Sequence, residues 1–324
     1  MTEFVDGYAA IVLIGAAGLD FLVGDPWHWP HPVQGMGWLI QRYTNLAFKT
    51  TQSAMVMRGL GVLLTIFLVV GSAVVGWGLV AIAHRFNHWF GLSLEIILVA
   101  SCLAGRSLRD AAEDVLAPLI QEDLAEARKR MSRYVGRDTR SLDQPEILRA
   151  VFETVAENSV DGIMGPLFYA LVGAVTPLGS AAIALAYKAA STLDSMVGYR
   201  EAPYTHIGWC SAKFEDALTW LPCRLTVLAL ALLSRKPQTV IALCQRDAAA
   251  DPSPNSGWSE CAYAASLGVQ VGGKNVYKGV VKVKPLMGDP VRDITPDVIR
   301  ACLQLNRVCF FLWLGIGILL LYKI

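Results

Sequence analysis

The sequence predicts an all-α fold: a polytopic helical integral membrane protein with cytoplasmic helical and loop regions. Two observations carry this. The 324 residues are 54% hydrophobic with a mean hydropathy of +0.44, above the about 45–50% apolar content usual in soluble domains. The apolar residues are also gathered into long runs, which a bilayer explains better than one greasy soluble core.

The clearest run is 59–83, GLGVLLTIFLVVGSAVVGWGLVAIA, uncharged and longer than the ~20 residues a helix needs to cross the hydrocarbon core. Residues 308–322 reach that length when extended through Arg307, whose side chain can snorkel to the interface. Residues 8–23 are a third candidate, with Asp20 in the last turn, and 92–104 a short fourth containing Glu95. Residues 163–186 are broken by Pro166 and Thr176-Pro177, which predicts a kinked span or a re-entrant hairpin. The run 218–233 carries the same ambiguity, since it holds Pro222 and Arg224, and an arginine at that depth faces protein or water.

Glu3 and Asp6 stand where a signal peptide would be basic, so the first run is expected to stay as an anchor. Residues 41–58 hold Arg42, Lys49 and Arg58 and no acid, which the positive-inside tendency assigns to the cytoplasm. The N-terminus is then outside, and 105–161 is cytoplasmic. With 28 basic and 27 acidic residues, net +1, the chain has no basic footprint for nucleic acid. The seven cysteines are odd in number with no C-x-x-C pair, so they suggest neither a disulfide framework nor a zinc site.

Two polar regions, about 105–161 and 234–306, alternate with the apolar runs. No linker or repeat separates them, so 1–324 reads as a single membrane domain. Residues 107–120 and 122–134 have helical periodicity, 135–145 is rich in turn formers, 251–257 (DPSPNSG) is an irregular loop, and Gly272-Gly273-Lys274-Asn275 is expected to turn.

The most informative stretch is RAVFETVAENSVDG, in which Arg149, Glu153, Glu157 and Asp161 recur every four residues and share one helical face. Three carboxylates in line repel unless a cation or a basic partner sits among them. A magnesium ion held with a nucleotide's phosphates is one compensation; a solvated amphipathic helix is the plainer alternative. In YKAASTLDSMVGY, Lys188, Ser191, Thr192 and Ser195 lie near one face, suited to phosphate or carboxylate contacts, with Asp194 partly aside; close helix packing is the alternative. SAKFEDALTWLPCR offers Lys213, Glu215 and Asp216, which also suits an ordinary helix start. His28 and His31, in a proline-rich loop, admit a metal-ligand reading without a matching carboxylate motif. His84 and His88 suit interfacial packing. No phosphate-binding glycine loop and no G-x-S-x-G elbow is present.

These stretches, together with LDFLVGDPWHWPHPVQGMGWLI, AGRSLRDAAEDV, YVGRDTRSLDQPEILRAVFETVAENSVDGIMGPLFYALVGA and DPSPNSGWSECAYAASLGVQVGGKNVYKG, resemble the CobD/CbiB family of cobalamin biosynthesis over nearly the whole chain. The departures are Ser191 in place of asparagine, and Lys213, Glu215, Thr219, Trp220 and Cys223 within an otherwise similar motif. The resemblance implies an acid–amine ligase, adenosylcobinamide-phosphate synthase. It joins adenosylcobyric acid to (R)-1-amino-2-propanol phosphate, or the free amino alcohol, with ATP as co-substrate and Mg2+. The expected location is the inner membrane, with the active site on the cytoplasmic side that the positive-inside tendency assigns; the expected partners are the corrinoid and amino-alcohol substrates and membrane lipid, and one hypothesis is a homo-oligomer or a membrane-anchored assembly with other enzymes of the pathway.

On this basis Glu157, Asn158, Lys188 and Asp194 are the expected catalytic residues, with Lys188 on transferring phosphate and Asp194 as base for the amine. Arg106, Arg137, Asp138, Tyr199 and Arg224 are the expected substrate contacts. Glu153, Glu157, Asp161 and Asp216 are the expected magnesium ligands. From the residues alone two rivals remain, a secondary transporter and a magnesium-dependent phosphotransferase at the membrane.

Overall fold

The computed structural model describes residues 2–26 and 29–323, with side chains from Gly7 onward; His28 lies outside the described residues. In chain order the elements are α1 (Thr2–Leu22), α2 (Pro32–Thr50), α3 (Ala54–Phe86), α4 (His88–Ala100), α5 (Gly105–Ile120), α6 (Leu124–Met131) and α7 (Gln144–Ser159). A π-helical turn (Val160–Met164) leads into α8 (Gly165–Ala174), α9 (Gly179–Val197), α10 (Trp209–Leu233), α11 (Pro237–Asp247) and α12 (Ser256–Leu267). The strands β1 (Val271–Tyr277) and β2 (Val280–Met287) precede α13 (Pro296–Leu321). Among the described residues, four segments are long and apolar enough to cross a bilayer: α3, the stretch His88–Ile120, α10 and α13, with Gly7–Leu22 shorter. The protein is an all-α polytopic membrane protein carrying one small hairpin among the described residues.

The chain divides into two compact units, one of Met1–Ala104, Gly165–Thr219 and Trp313–Ile324, the other of Gly105–Met164 and Trp220–Leu312. Both polar regions expected from sequence fall in the second.

In the first unit α3 is the central span. Leu63, Ile66, Phe67, Val70 and Val74 stand exposed along it, as apolar side chains facing lipid do. Glycines let its other side close on neighbours. A Cβ on Gly61 would lie 2.1 Å from the Ile207 carbonyl oxygen, and one on Gly76 2.7 Å from Leu185 on α9. Such small-residue contacts replace the hydrophobic drive that is missing in lipid. Asn87 reverses the chain: it caps the end of α3, and its side chain accepts from the Trp89 and Phe90 amides to start α4.

The interrupted run 163–186 is a hairpin rather than one kinked span. The ten residues of α8 reach only about 15 Å, half of the ~30 Å core, and α9 returns against α8 after a turn over 175–178. Residues 218–233, by contrast, lie within the continuous 25-residue α10.

In the second unit α6 is shorter than the periodicity of 122–134 suggests. Glu122 adopts a left-handed φ of 60°, and Asp123 then caps the helix through the Glu126 amide. The expected turn at 272–275 is instead part of β1. Gly272 and Gly273 have φ of 91° and 89° and form an irregularity in the pairing of β1 with β2, while the chain reverses at Lys278-Gly279, φ 50° and 79°. Glycine pairs mark bulges as well as turns. Two successive left-handed residues make the tight reversal a hairpin favours.

Candidate functional site

Asp143 and Glu146 form a capping box that starts α7, so Arg149, Glu153 and Glu157 fall on one face as the spacing predicts. The compensating cations are supplied by the chain itself. Glu153, 1% exposed, receives Arg137 Nη2 at 2.5 Å, Arg149 Nη1 at 2.8 Å and the Gly272 amide at 2.9 Å. Asn275 Oδ1 accepts from both guanidiniums, at 2.8 and 3.2 Å. Arg149 also donates to the carbonyls of Gly272 and Lys274. Burial would lift the Glu153 carboxyl, but Arg137, Arg149 and the Gly272 amide together hold it below the usual range. Asp138 secures the far end of the hairpin: its amide donates to Val276 O at 2.7 Å, and its Oδ2 accepts from the Gly279 amide at 2.9 Å.

A second charged cluster lies in the same unit. Lys284 Nζ, from β2, stands 2.5 Å from Glu260 Oε1 and 4.0 Å from Asp251 Oδ2. Glu260 is fully buried, and its Oε2 accepts no hydrogen bond from the described residues. Burial pushes the Glu260 carboxyl well up, against the pull of Lys284 and with further repulsion from Glu157 and Glu153. Burial likewise raises Glu157, opposed by Lys284 and reinforced by Asp251 and Glu153. For Lys284 burial acts downward, but Glu260 and Glu157 outweigh it, so the ammonium is held above its ordinary value. Lys284 is thus a cation set against carboxyls that burial pushes up.

The other expected residues of this unit are less converged. Asn158 is exposed and donates to Thr154 O at 2.9 Å. Asp161 falls in the π-turn that follows α7. Arg106 pairs with Asp110 one turn on, at 3.1 Å. Arg224 lies over the Trp258 and Trp220 rings, at 4.1 and 5.5 Å, and donates to Pro254 O at 2.9 Å. Stacking and the carbonyl fix its fork in place.

In the first unit Lys188 and Asp194 both sit on α9, and Tyr199 follows it, donating to Ser195 O at 3.0 Å. Lys188 has no ion-pair partner among the described residues. Its charge, and that of Asp25, both reach Cys102 in the turn after α4. Asp25 in turn contacts His31 at 3.2 Å, and His31 Nδ1 accepts from the Val33 amide to cap α2. His31 is thus a capping residue. Asp216 contacts Lys213 at 3.4 Å. Thr219, where the motif departs, donates to the buried Glu215 and shares a 2.9 Å hydrogen bond with Tyr187, whose ring stacks on Tyr169 at 4.8 Å.

Of the expected magnesium ligands, Glu153 is already engaged by the chain's own donors. Both oxygens of Glu153 are taken by arginines and an amide, and among the described residues no three His, Cys, Asp or Glu side chains are placed to hold a metal ion. Sequence reading missed Asp251, Glu260 and Lys284. Glu260 had one visible mark, a single charge within the otherwise small and apolar stretch CAYAASL and its flank.

A family model described as CobD/Cbib protein matches residues 13–306. The chain is 48% identical to cobalamin biosynthesis protein CobD of Synechocystis sp., over 98% of this chain and 93% of the relative. It is 42% identical to cobalamin biosynthesis protein CbiB of Salmonella choleraesuis, over 93% of each, and 40% identical to the CobD protein of Citrobacter koseri, again over 93% of each. No solved structure gives a significant match. With nearly its whole length matched by the family model and by relatives of this similarity, the chain belongs to the CobD/CbiB family.

Proposed function

We propose that the protein acts in cobalamin biosynthesis as an acid–amine ligase, joining adenosylcobyric acid to (R)-1-amino-2-propanol phosphate, or to the free amino alcohol. The carrying observation is similarity over 98% of the chain to a relative named for cobalamin biosynthesis; the reaction itself rests on the family resemblance.

The chemistry sets the order of steps. A carboxylate is a poor acyl donor because oxide would have to leave. One carboxylate oxygen of the corrinoid attacks the γ-phosphorus of ATP, the bond to ADP breaks, and an acyl phosphate forms. The amine, having lost one proton, attacks the carbonyl carbon, and inorganic phosphate leaves with the bridging oxygen. Lys188 supplies a point charge to phosphate oxygens, and Asp194 takes the ammonium proton. Magnesium enters as the counter-ion of the nucleotide rather than as a resident ion, in keeping with the arginine-bound state of Glu153. The Arg137–Glu153–Arg149 network positions the hairpin and through it Lys284. The basic, acid-free segment 41–58 supports a cytoplasmic face for the chemistry in the inner membrane.

The test is detergent-purified protein incubated with adenosylcobyric acid, ATP, magnesium and aminopropanol phosphate, with each component omitted in turn. Amide product in the complete mixture alone is the expected result. Intact substrates in every mixture, from folded protein, would refute the ligase.

A further inference from the structure

The first unit holds a groove of about 540 Å3 between α2 and the span α3. Its walls include Trp38, Arg42, Asn45, Lys49, Leu64 and Phe67. Residues 51–53 return the chain so that α2 and α3 run antiparallel, and Tyr43 Oη donates to Leu60 O at 3.0 Å to set their register. Counting outward from that bond places Lys49 beside the first turn of α3 and Trp38 near the level of Leu64. Arg42, Asn45 and Lys49 therefore stand toward one end of an otherwise apolar groove, and Trp38, Leu64 and Phe67 toward the other.

Depth gives this polarity a meaning. The 33 residues of α3 extend about 50 Å, well beyond the ~30 Å hydrocarbon core, so its first turns stand among headgroups while Phe67 reaches the acyl chains. Arg42 and Lys49 are exposed, lie two turns apart on one face of α2, and make no ion pair or hydrogen bond with the described residues. No acid occurs in 41–58 to neutralise them. Arg58, the other cation of the segment, is placed over the Trp209 ring at 5.7 Å. Trp38 is 61% exposed and Phe67 63%, so the apolar end is unfilled by protein.

We propose that this groove binds one anionic phospholipid, its phosphate between Arg42 and Lys49 and an acyl chain along the exposed Trp38 and Phe67. Basic residues at headgroup depth between membrane helices select net negative lipids. A zwitterionic headgroup would set its own ammonium against the same two cations. The occupant ties α2 to α3, and α2 also packs on α9, where a Cβ on Gly37 would lie 3.5 Å from the Met196 sulfur.

The test uses the full chain, delipidated in detergent and titrated with phosphatidylglycerol or phosphatidylcholine of identical acyl chains, read by native mass spectrometry and by thermal unfolding. Phosphatidylglycerol should give a single adduct, bind roughly tenfold tighter than phosphatidylcholine and raise Tm. The Arg42→Gln/Lys49→Gln double variant should lose that preference yet unfold like the parent without lipid. Arg42→Lys/Lys49→Arg should keep the preference, as should Lys236→Gln, an exposed lysine outside the groove. Equal binding of the two lipids by the parent, or a preference that survives in the doubly neutral variant, would overturn the assignment. Displacement of the bound lipid by millimolar glycerol phosphate would overturn it too, in favour of a soluble phosphate.

Discussion

Arg137 and Glu153 meet at 2.5 Å with both side chains almost wholly withdrawn from solvent, and the same carboxylate binds Arg149 at 2.8 Å. Removing one partner of a buried pair strands the other charge and costs about 3–5 kcal/mol. Glu153→Gln should therefore destabilise the second unit by ~3 kcal/mol or more, read as a lower Tm of the detergent-solubilised protein and as faster proteolysis of the 271–287 hairpin. Unchanged unfolding would mean that the pair is not the anchor described.

The Lys284 cluster makes stability depend on pH with a definite sign. Glu157 and Glu260 are carboxyls raised by burial, so the folded state binds more protons than the unfolded state above the ordinary value of 4.5. Stability then falls as pH rises from there toward their raised values. Glu153 is lowered, so its contribution is complete above 4.5 and is lost only below. Glu260→Gln should flatten the decline of Tm over the pH interval above the ordinary carboxyl value of 4.5, while the parent retains it. A parent profile that rises across that interval would contradict the burial of these groups.

Gly272 should not accept a side chain. Its φ is 91°, and a Cβ there would lie 2.0 Å from the Pro285 carbonyl oxygen. Gly272→Ala is expected to cost at least about 1–3 kcal/mol from backbone strain alone and to free the amide that Glu153 accepts. Gly279→Ala, in open space but at φ 79°, should cost less. Denaturant unfolding of the two variants orders them.

If Lys188 neutralises phosphate, Lys188→Ala should lower kcat by about 10²–10³ and leave Tm close to the parent value, because the ammonium has no ion-pair partner to lose. Lys188→Arg should restore part of the rate. Equal loss of activity and stability would make Lys188 structural.

The membrane architecture was legible where composition alone decides, as in the uncharged run 59–83 that became α3. The stripe from Arg149 to Glu157 was legible from its period, because Asp143 and Glu146 begin an ordinary α-helix. The π-turn that holds Asp161 was not, since it leaves no periodic trace. Nor was the meaning of the stripe: its cations, Arg137 and Lys284, come from segments 16 and 127 residues from the acids they serve, Glu153 and Glu157, and only the fold unites them. The Gly272-Gly273 pair shows the same limit, for a bulge and a turn ask for the same residue. Capping by His31 rather than metal ligation depended on a local backbone geometry that histidine's chemistry does not announce.

The central claim, that the chain forms an amide through an ATP-activated carboxylate, is tested most directly with adenosylcobyric acid carrying oxygen-18 in its reacting carboxylate. Mass spectrometry of the products should find the corrinoid amide together with one labelled oxygen in the released inorganic phosphate. Amide formed with no label in phosphate would contradict the acyl phosphate, and labelled substrate recovered intact from folded, ATP-supplied protein would contradict the ligase.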